Sequence, residues 1–251
     1  MAGRTLKTEA VVLRSFRLGE ADRVLHLYTL AQGRAGAVAK GIRKTKSRFG
    51  ARLEPLSHVE VLLHRGSGEL ATVTGAELVR PHQRTRDDYA RLSVGLIGAE
   101  AMLRLFAEEE ANPRAFEALT RFLDVLDETE AAPSGRADLD PLALAFQLKL
   151  LWLAGYLPHL TSCAECGAAD APLVGYSPSA GGAVCRACAA ATEAVGLTAA
   201  GIAGAEGLLR RPLADAHATG LNERAARDAL TIITASYEYH GGFRLRTLSA
   251  S

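Results

Sequence analysis

The sequence predicts an α+β chain: a small closed β-barrel over residues 1–80, then an all-α helical domain over 81–251 that carries a four-cysteine metal-binding insertion at 160–192. Three observations carry this expectation. Short β-type apolar runs separated by turn residues fill the first part of the chain. From Asp87 onward the apolar period becomes helical. All four cysteines fall in one short stretch with the spacing C-x2-C-x18-C-x2-C.

The strand candidates are Glu9–Leu13, Val24–Tyr28, Gly36–Ala39, His58–Leu62 and Leu70–Thr74. Gly19, Gly33, Gly50, Pro55 and Gly66-Ser67-Gly68 separate them, and the last of these joins the final pair as a hairpin. Five short strands suit a small closed barrel such as an OB-fold.

Beyond Asp87, Tyr89, Leu92, Leu96, Ala99, Met102, Leu103 and Phe106 step by three and four, which predicts a helix with one apolar stripe. Asn112-Pro113 is a helix start, with Asn as cap and Pro in the first turn, for a helix carrying Phe116, Leu119, Phe122, Leu123 and Leu126. Ala131-Ala132-Pro133-Ser134-Gly135 reads as a loop. Asp140-Pro141 repeats the start signal, and Leu142 to Leu157 is apolar nearly all round, as a central bundle helix should be. Two more helices are expected near Thr198–Leu213 and Asn222–Tyr239.

Cys163, Cys166, Cys185 and Cys188 have the spacing of a tetrahedral site in which two tight turns each present two thiolates to one zinc ion. Gly167, Ala164 and Ala187 suit such turns. Two disulfides are the alternative. The start Met1-Ala2-Gly3-Arg4 leads into no apolar signal segment, so a reducing cytoplasmic setting and one structural zinc are expected. Four thiolates close the coordination shell and leave no position for a catalytic water.

Apolar residues make up 48% of the chain, enough for an ordinary core, and the run Leu142–Leu157 is too short to span a bilayer, so no membrane partner is expected. The net charge of +1 hides an asymmetry. No acidic residue lies between Asp22 and Glu54, yet Arg23, Arg34, Lys40, Arg43, Lys44, Lys46, Arg48 and Arg52 do. Acids collect later, as in Glu108-Glu109-Glu110. A local basic field attracts phosphates whatever the whole-chain charge. Its densest part, Lys40 to Phe49, follows a strand, and flexible cations there can each neutralise one phosphate. Phe49 and Phe16 are open between stacking on bases and packing in the core, whereas Tyr28 reads as core.

Enzymatic signatures are missing from the sequence. There is no phosphate-binding G-x-x-x-x-G-K-[ST] loop and no G-x-S-x-G elbow. His58-x-Glu60 with Cys185-x-x-Cys188 superficially matches the zinc deaminase pattern. However, Val184 replaces its proline, and the first cysteine pair would be left without purpose. A protein that is not an enzyme is expected.

Certain longer segments resemble a known family. Gly19-Glu20-Ala21-Asp22-Arg23-Val24-Leu25-His26-Leu27-Tyr28-Thr29, Gly33, Val38-Ala39-Lys40-Gly41-Ile42-Arg43-Lys44 and Ser47-Arg48 resemble the opening of the bacterial DNA repair protein RecO family. Tyr239-His240-Gly241-Gly242-Phe243-Arg244-Leu245-Arg246 resembles its ending, with Gly241 where the family usually has Leu. The resemblance implies a recombination mediator with an N-terminal OB-fold that binds single- and double-stranded DNA and anneals complementary strands. It implies work with RecR, contact with the acidic tail of the single-stranded DNA-binding protein, and loading of RecA on nucleoid DNA. It also carries DNA binding to Lys40, Arg43, Lys44, Lys46 and Arg48. The alternative is a zinc-containing protein-interaction adaptor with incidental DNA affinity, and the acid-free basic run favours the mediator.

Overall fold

The computed structural model describes residues 4–47, 49–130, 133 and 135–248. Arg48 lies outside these, as do Ala131, Ala132 and Ser134 of the expected loop. The chain forms two compact units, Met1–Thr129 and Glu130–Ser251.

In the first unit, β1 (Arg4–Leu18), β2 (Asp22–Thr29), β3 (Gly33–Ala39), β4 (His58–Arg65) and β5 (Ala71–Arg80) close into a barrel of order β1-β2-β3-β5-β4. The long β1 serves two neighbours. Its first part pairs with β4, from Arg4↔Arg65 to Val11↔His58, and its second part with β2, from Ala10↔Thr29 to Leu18↔Asp22. A register shift between Val12 and Arg14 bends the strand where it passes from one partner to the other. β4 and β5 form the expected hairpin. β3 meets β5 in parallel, and only at Ala37↔Ala71 and Val38↔Thr72. Val12, Leu25, Leu27, Val59, Val61 and Val73 fill the interior.

Three helices complete this unit: α1 (Gln83–Asp87), α2 (Tyr89–Leu105) and α3 (Pro113–Glu128). Strand structure ends at Arg80, but packing closes the unit at Thr129. The Asn112 side chain accepts from the Ala115 N–H at 3.0 Å with Pro113 in the first turn, as its sequence implies.

The face of α2 differs from expectation. Ala99, Met102 and Phe106 of the expected stripe are buried, but Tyr89 is 85% exposed and Leu96 is also exposed, while Val94, Gly95, Ile97, Gly98 and Ala101 are buried in their place. The cause is close approach. A Cβ at Gly95 would lie 2.6 Å from Leu56 Cδ1, so the helix packs through its glycine-bearing side and leaves bulky residues outside.

In the second unit, α4 (Pro141–Leu153), α6 (Ala199–Arg210) and α7 (Glu223–Gly241) pack together, and each has a side-chain cap. Asp140 accepts from Leu142 N–H at 2.9 Å, Thr198 from Gly201 at 3.0 Å and Asn222 from Ala225 at 2.9 Å. Helix α4 ends at Leu153 rather than Leu157, because Gly155 turns into the left-handed region at φ +87°.

This unit is not all-α. Between α4 and α6 lie β6 (Leu173–Ser177), β7 (Gly182–Cys185), the one-turn α5 (Arg186–Ala189) and β8 (Val195–Gly196), with sheet order β7-β6-β8. Such short strands fell below the length at which periodicity separates strand from loop. The sheet is tied to α7 by the buried hydroxyls of Tyr176 and Ser236, 2.7 Å apart.

Candidate functional site

The basic run lies in the segment between β3 and β4. Its apolar residues point in: Ile42 is 8% exposed, Phe49 1% and Leu53 0%, all within the barrel core. Of the two readings open for Phe49, the structure gives the core one: it is a core plug and cannot stack on a base. Tyr28 is likewise fully buried. With the loop pinned from inside, Lys40, Arg43, Lys44 and Lys46 are all exposed. Arg48 falls outside the described residues.

The loop is also fastened to the β1–β2 turn. The Gly41 N–H donates to Asp22 Oδ1 at 2.7 Å, and the Arg43 N–H to the Ala21 carbonyl at 3.0 Å. The Arg43 guanidinium donates to the carbonyls of Gly19 (3.3 Å) and Glu20 (2.8 Å). Arg43 is thus held in place by carbonyls, whereas Lys40, Lys44 and Lys46 have no acidic partner among the described residues.

The acid-free stretch is less uniform in space than in sequence. Arg23 pairs with Glu54 at 3.1 Å and Arg34 with Glu108 at 2.7 Å, so two of its cations are already neutralised. On the barrel wall Phe16 is 38% exposed, its ring 5.4 Å from His26 and capped by the Arg14 guanidinium at 4.3 Å. That exposed aromatic beside a cation can stack on a base. His58 is committed to Glu9, 2.8 Å away, and burial disfavours its charged form against that pairing.

The four cysteines converge. Their sulfurs all lie within 4.8 Å of one another, and Cys166 Sγ and Cys185 Sγ, from opposite pairs, are 4.0 Å apart. A tetrahedral ion with bonds of about 2.3 Å needs sulfurs about 3.8 Å apart, so the cluster is close to what one metal requires. The turn that presents Cys163 and Cys166 closes through Gly167, whose N–H donates to the Cys163 carbonyl at 2.8 Å with φ +74°. The second pair sits at the end of β7 and in α5.

Backbone N–H groups of Cys166 and then Cys185 hold the Cys163 thiol down to about 6, the Cys185 donor lying 3.3 Å from the sulfur. Burial, then the neighbouring sulfurs, push Cys188 up to about 12. Four thiolates this close repel one another, and a divalent cation among them removes that conflict. The donor set fits a thiophilic metal in a closed shell.

One surface escaped the sequence reading. Trp152 and Leu157, at and beyond the end of α4, are 52% and 53% exposed. With Leu160 and Leu209 they line a groove of about 450 Å³ that Lys149, Arg210 and Glu206 flank. Lys149 Nζ donates to the Leu209 carbonyl at 2.8 Å, and burial disfavours its charged form. Arg210 pairs with Glu206 at 2.7 Å. The signal was the apolar run continuing past the point where its helix stops.

Residues 1–82 match the family model Recombination protein O N terminal, and residues 86–249 match Recombination protein O C terminal. The DNA repair protein RecO of Rubrobacter xylanophilus is 41% identical over 184 residues, 72% of this chain and 71% of the relative. That of Nocardioides sp. is 39% identical over 208 residues, 79% and 82% of the two chains. That of Syntrophotalea carbinolica is 33% identical over 209 residues, 82% and 78%.

Proposed function

The chain belongs to the RecO family and thus acts in DNA repair, and on that footing we propose that it is a non-catalytic recombination mediator whose barrel, an OB-fold, binds single- and double-stranded DNA and anneals complementary strands. One observation carries the reading: the β3–β4 loop is plugged into the barrel by Ile42, Phe49 and Leu53 while Lys40, Arg43, Lys44 and Lys46 face solvent. A cationic loop held on a rigid barrel meets phosphates with little ordering cost and reads no sequence.

Annealing follows from the same surface. Two strands repel through their phosphates, and cations that hold both reduce that repulsion without any chemical step. The reading includes RecR and RecA loading as partners in a cytoplasmic, nucleoid-associated setting. The Trp152–Leu157 groove, apolar with cations beside it, supports contact with the acidic C-terminal tail of the single-stranded DNA-binding protein. Zinc at the four cysteines has a structural role, adding its binding free energy to local folding.

The test is annealing of complementary oligonucleotides followed by fluorescence. The protein should accelerate it equally with and without ATP, and the acceleration should fade as salt shortens the field to about 8 Å at physiological strength. A requirement for ATP, or annealing that persists after Lys40, Arg43, Lys44 and Lys46 are all replaced, would overturn the mechanism.

A further inference from the structure

A second cationic surface lies on the barrel away from the basic run, and an acidic segment of the chain already occupies it. Beyond its brief pairing with β5, the start of β3 has no named strand on that edge among the described residues. A cavity of about 410 Å³ opens there, with Arg4, Arg34 and Arg65 around it, His26 and Leu70 in its wall, and Glu69 at its rim. The segment after α2 runs alongside. Arg34 and Glu108 form an isolated parallel bridge, and the Glu109 N–H donates to the Arg34 carbonyl at 3.1 Å. The approach is so close that a Cβ at Gly33 would lie 2.0 Å from the Glu110 carbonyl oxygen.

Side chains follow the same pattern. Glu108 takes the Arg34 guanidinium at 2.7 Å, and Glu109 pairs with Arg65. The carboxylates stand where phosphates would, in a row against a row of arginines. Arg34 also donates to the Leu103 carbonyl, yet its Nε is buried with no hydrogen-bond partner among the described residues. Burial first, then the charges of Arg34 and Arg14, disfavour the His26 imidazolium in the cavity wall, against Glu108, which favours it.

The strap is weakly held. Glu108 is 65% exposed and the Arg65–Glu109 pair about half exposed on both sides, so water and salt screen these contacts. Glu109 also takes φ +60°, a left-handed conformation unfavourable for a residue with a side chain.

We infer that Glu108–Glu110 is a releasable acidic strap over a second phosphate-binding surface formed by Arg4, Arg34 and Arg65, and that the phosphate backbone of a single strand displaces it. This rests on the DNA-binding reading above. A strand carrying many phosphates can exchange two screened carboxylates for charge-assisted contacts, while Glu108 and Glu109 keep the surface closed to lone anions.

The test measures oligothymidylate binding across a range of salt for the full chain, for Glu108→Gln/Glu109→Gln, and for Glu117→Gln/Glu128→Gln. The last pair makes the same charge change on the exposed side of α3. The strap variant alone should bind more tightly at every salt, with a slope of log affinity against log salt close to the parent's, because a bound strand engages the same arginines in both. Adding Arg4→Ala/Arg65→Ala to it should abolish that gain and make the slope shallower by about 1.4. Equal changes in both glutamine pairs, or no change in the strap variant while the parent binds, would overturn the strap. A parent that binds nothing while the strap variant binds supports it. If neither binds, the DNA-binding reading falls and the strap with it.

Discussion

Replacing Lys40, Lys44 and Lys46 together by alanine separates the charge of the basic loop from its architecture. These side chains are exposed and make no ion pair among the described residues, whereas Ile42, Phe49 and Leu53 hold the loop from within. The triple variant should therefore keep its fold. If Lys40, Arg43, Lys44 and Lys46 each neutralise one phosphate, the loop contributes about −2.8 to the slope on single strands, at about 0.7 per contact. Arg43 alone leaves about −0.7 of that in the variant. A fourfold rise in salt then weakens the parent about eighteenfold more than the variant. Fluorescence anisotropy with a labelled oligothymidylate, run as a salt series, reads both slopes. An unchanged slope in a variant that melts like the parent would place the binding surface elsewhere and refute the argument.

Metal analysis of protein purified under reducing conditions should find about one zinc per chain, as a single tetrahedral site demands. Cys163→Ser should speed hydrogen exchange from Leu160 to Gly196 while β1–β5 stay protected; no metal, or exchange unchanged, would remove the structural role. Phe49→Ala should destabilise the barrel by about 3–5 kcal/mol, the usual cost of emptying a buried aromatic site, seen as a lower melting midpoint. Weaker DNA binding with an unchanged midpoint would mean that Phe49 contacts the nucleic acid instead.

What was legible in the sequence was what local chemistry decides. The caps Asn112 and Asp140 act on N–H groups two or three residues ahead, so the starts of their helices could be placed from the sequence. The cysteine cluster was legible because a metal site imposes fixed intervals. What failed depends on residues distant in the chain. The packed face of α2 was hidden because glycines set it by close approach, not by hydrophobicity. Phe49 stayed open between base stacking and core because cations surround it in sequence, and only the fold puts it in the barrel interior. The neutralising of Arg34 by Glu108 joins residues that no local pattern connects.

The parallel contact of β3 with β5 bears on how the barrel assembles. The hairpins β1–β2, β2–β3 and β4–β5 form between chain neighbours, and the distant pair β1–β4 is rewarded by a ladder running from Arg4↔Arg65 to Val11↔His58. Ala37↔Ala71 and Val38↔Thr72 bring distant residues together for very few hydrogen bonds. Loop-closure entropy therefore weighs most heavily against this junction, which makes it the last to zip during folding and the first to part in a local opening. An opened barrel would leave both of its halves ordered and present two bare strand edges, the state most exposed to pairing with another chain.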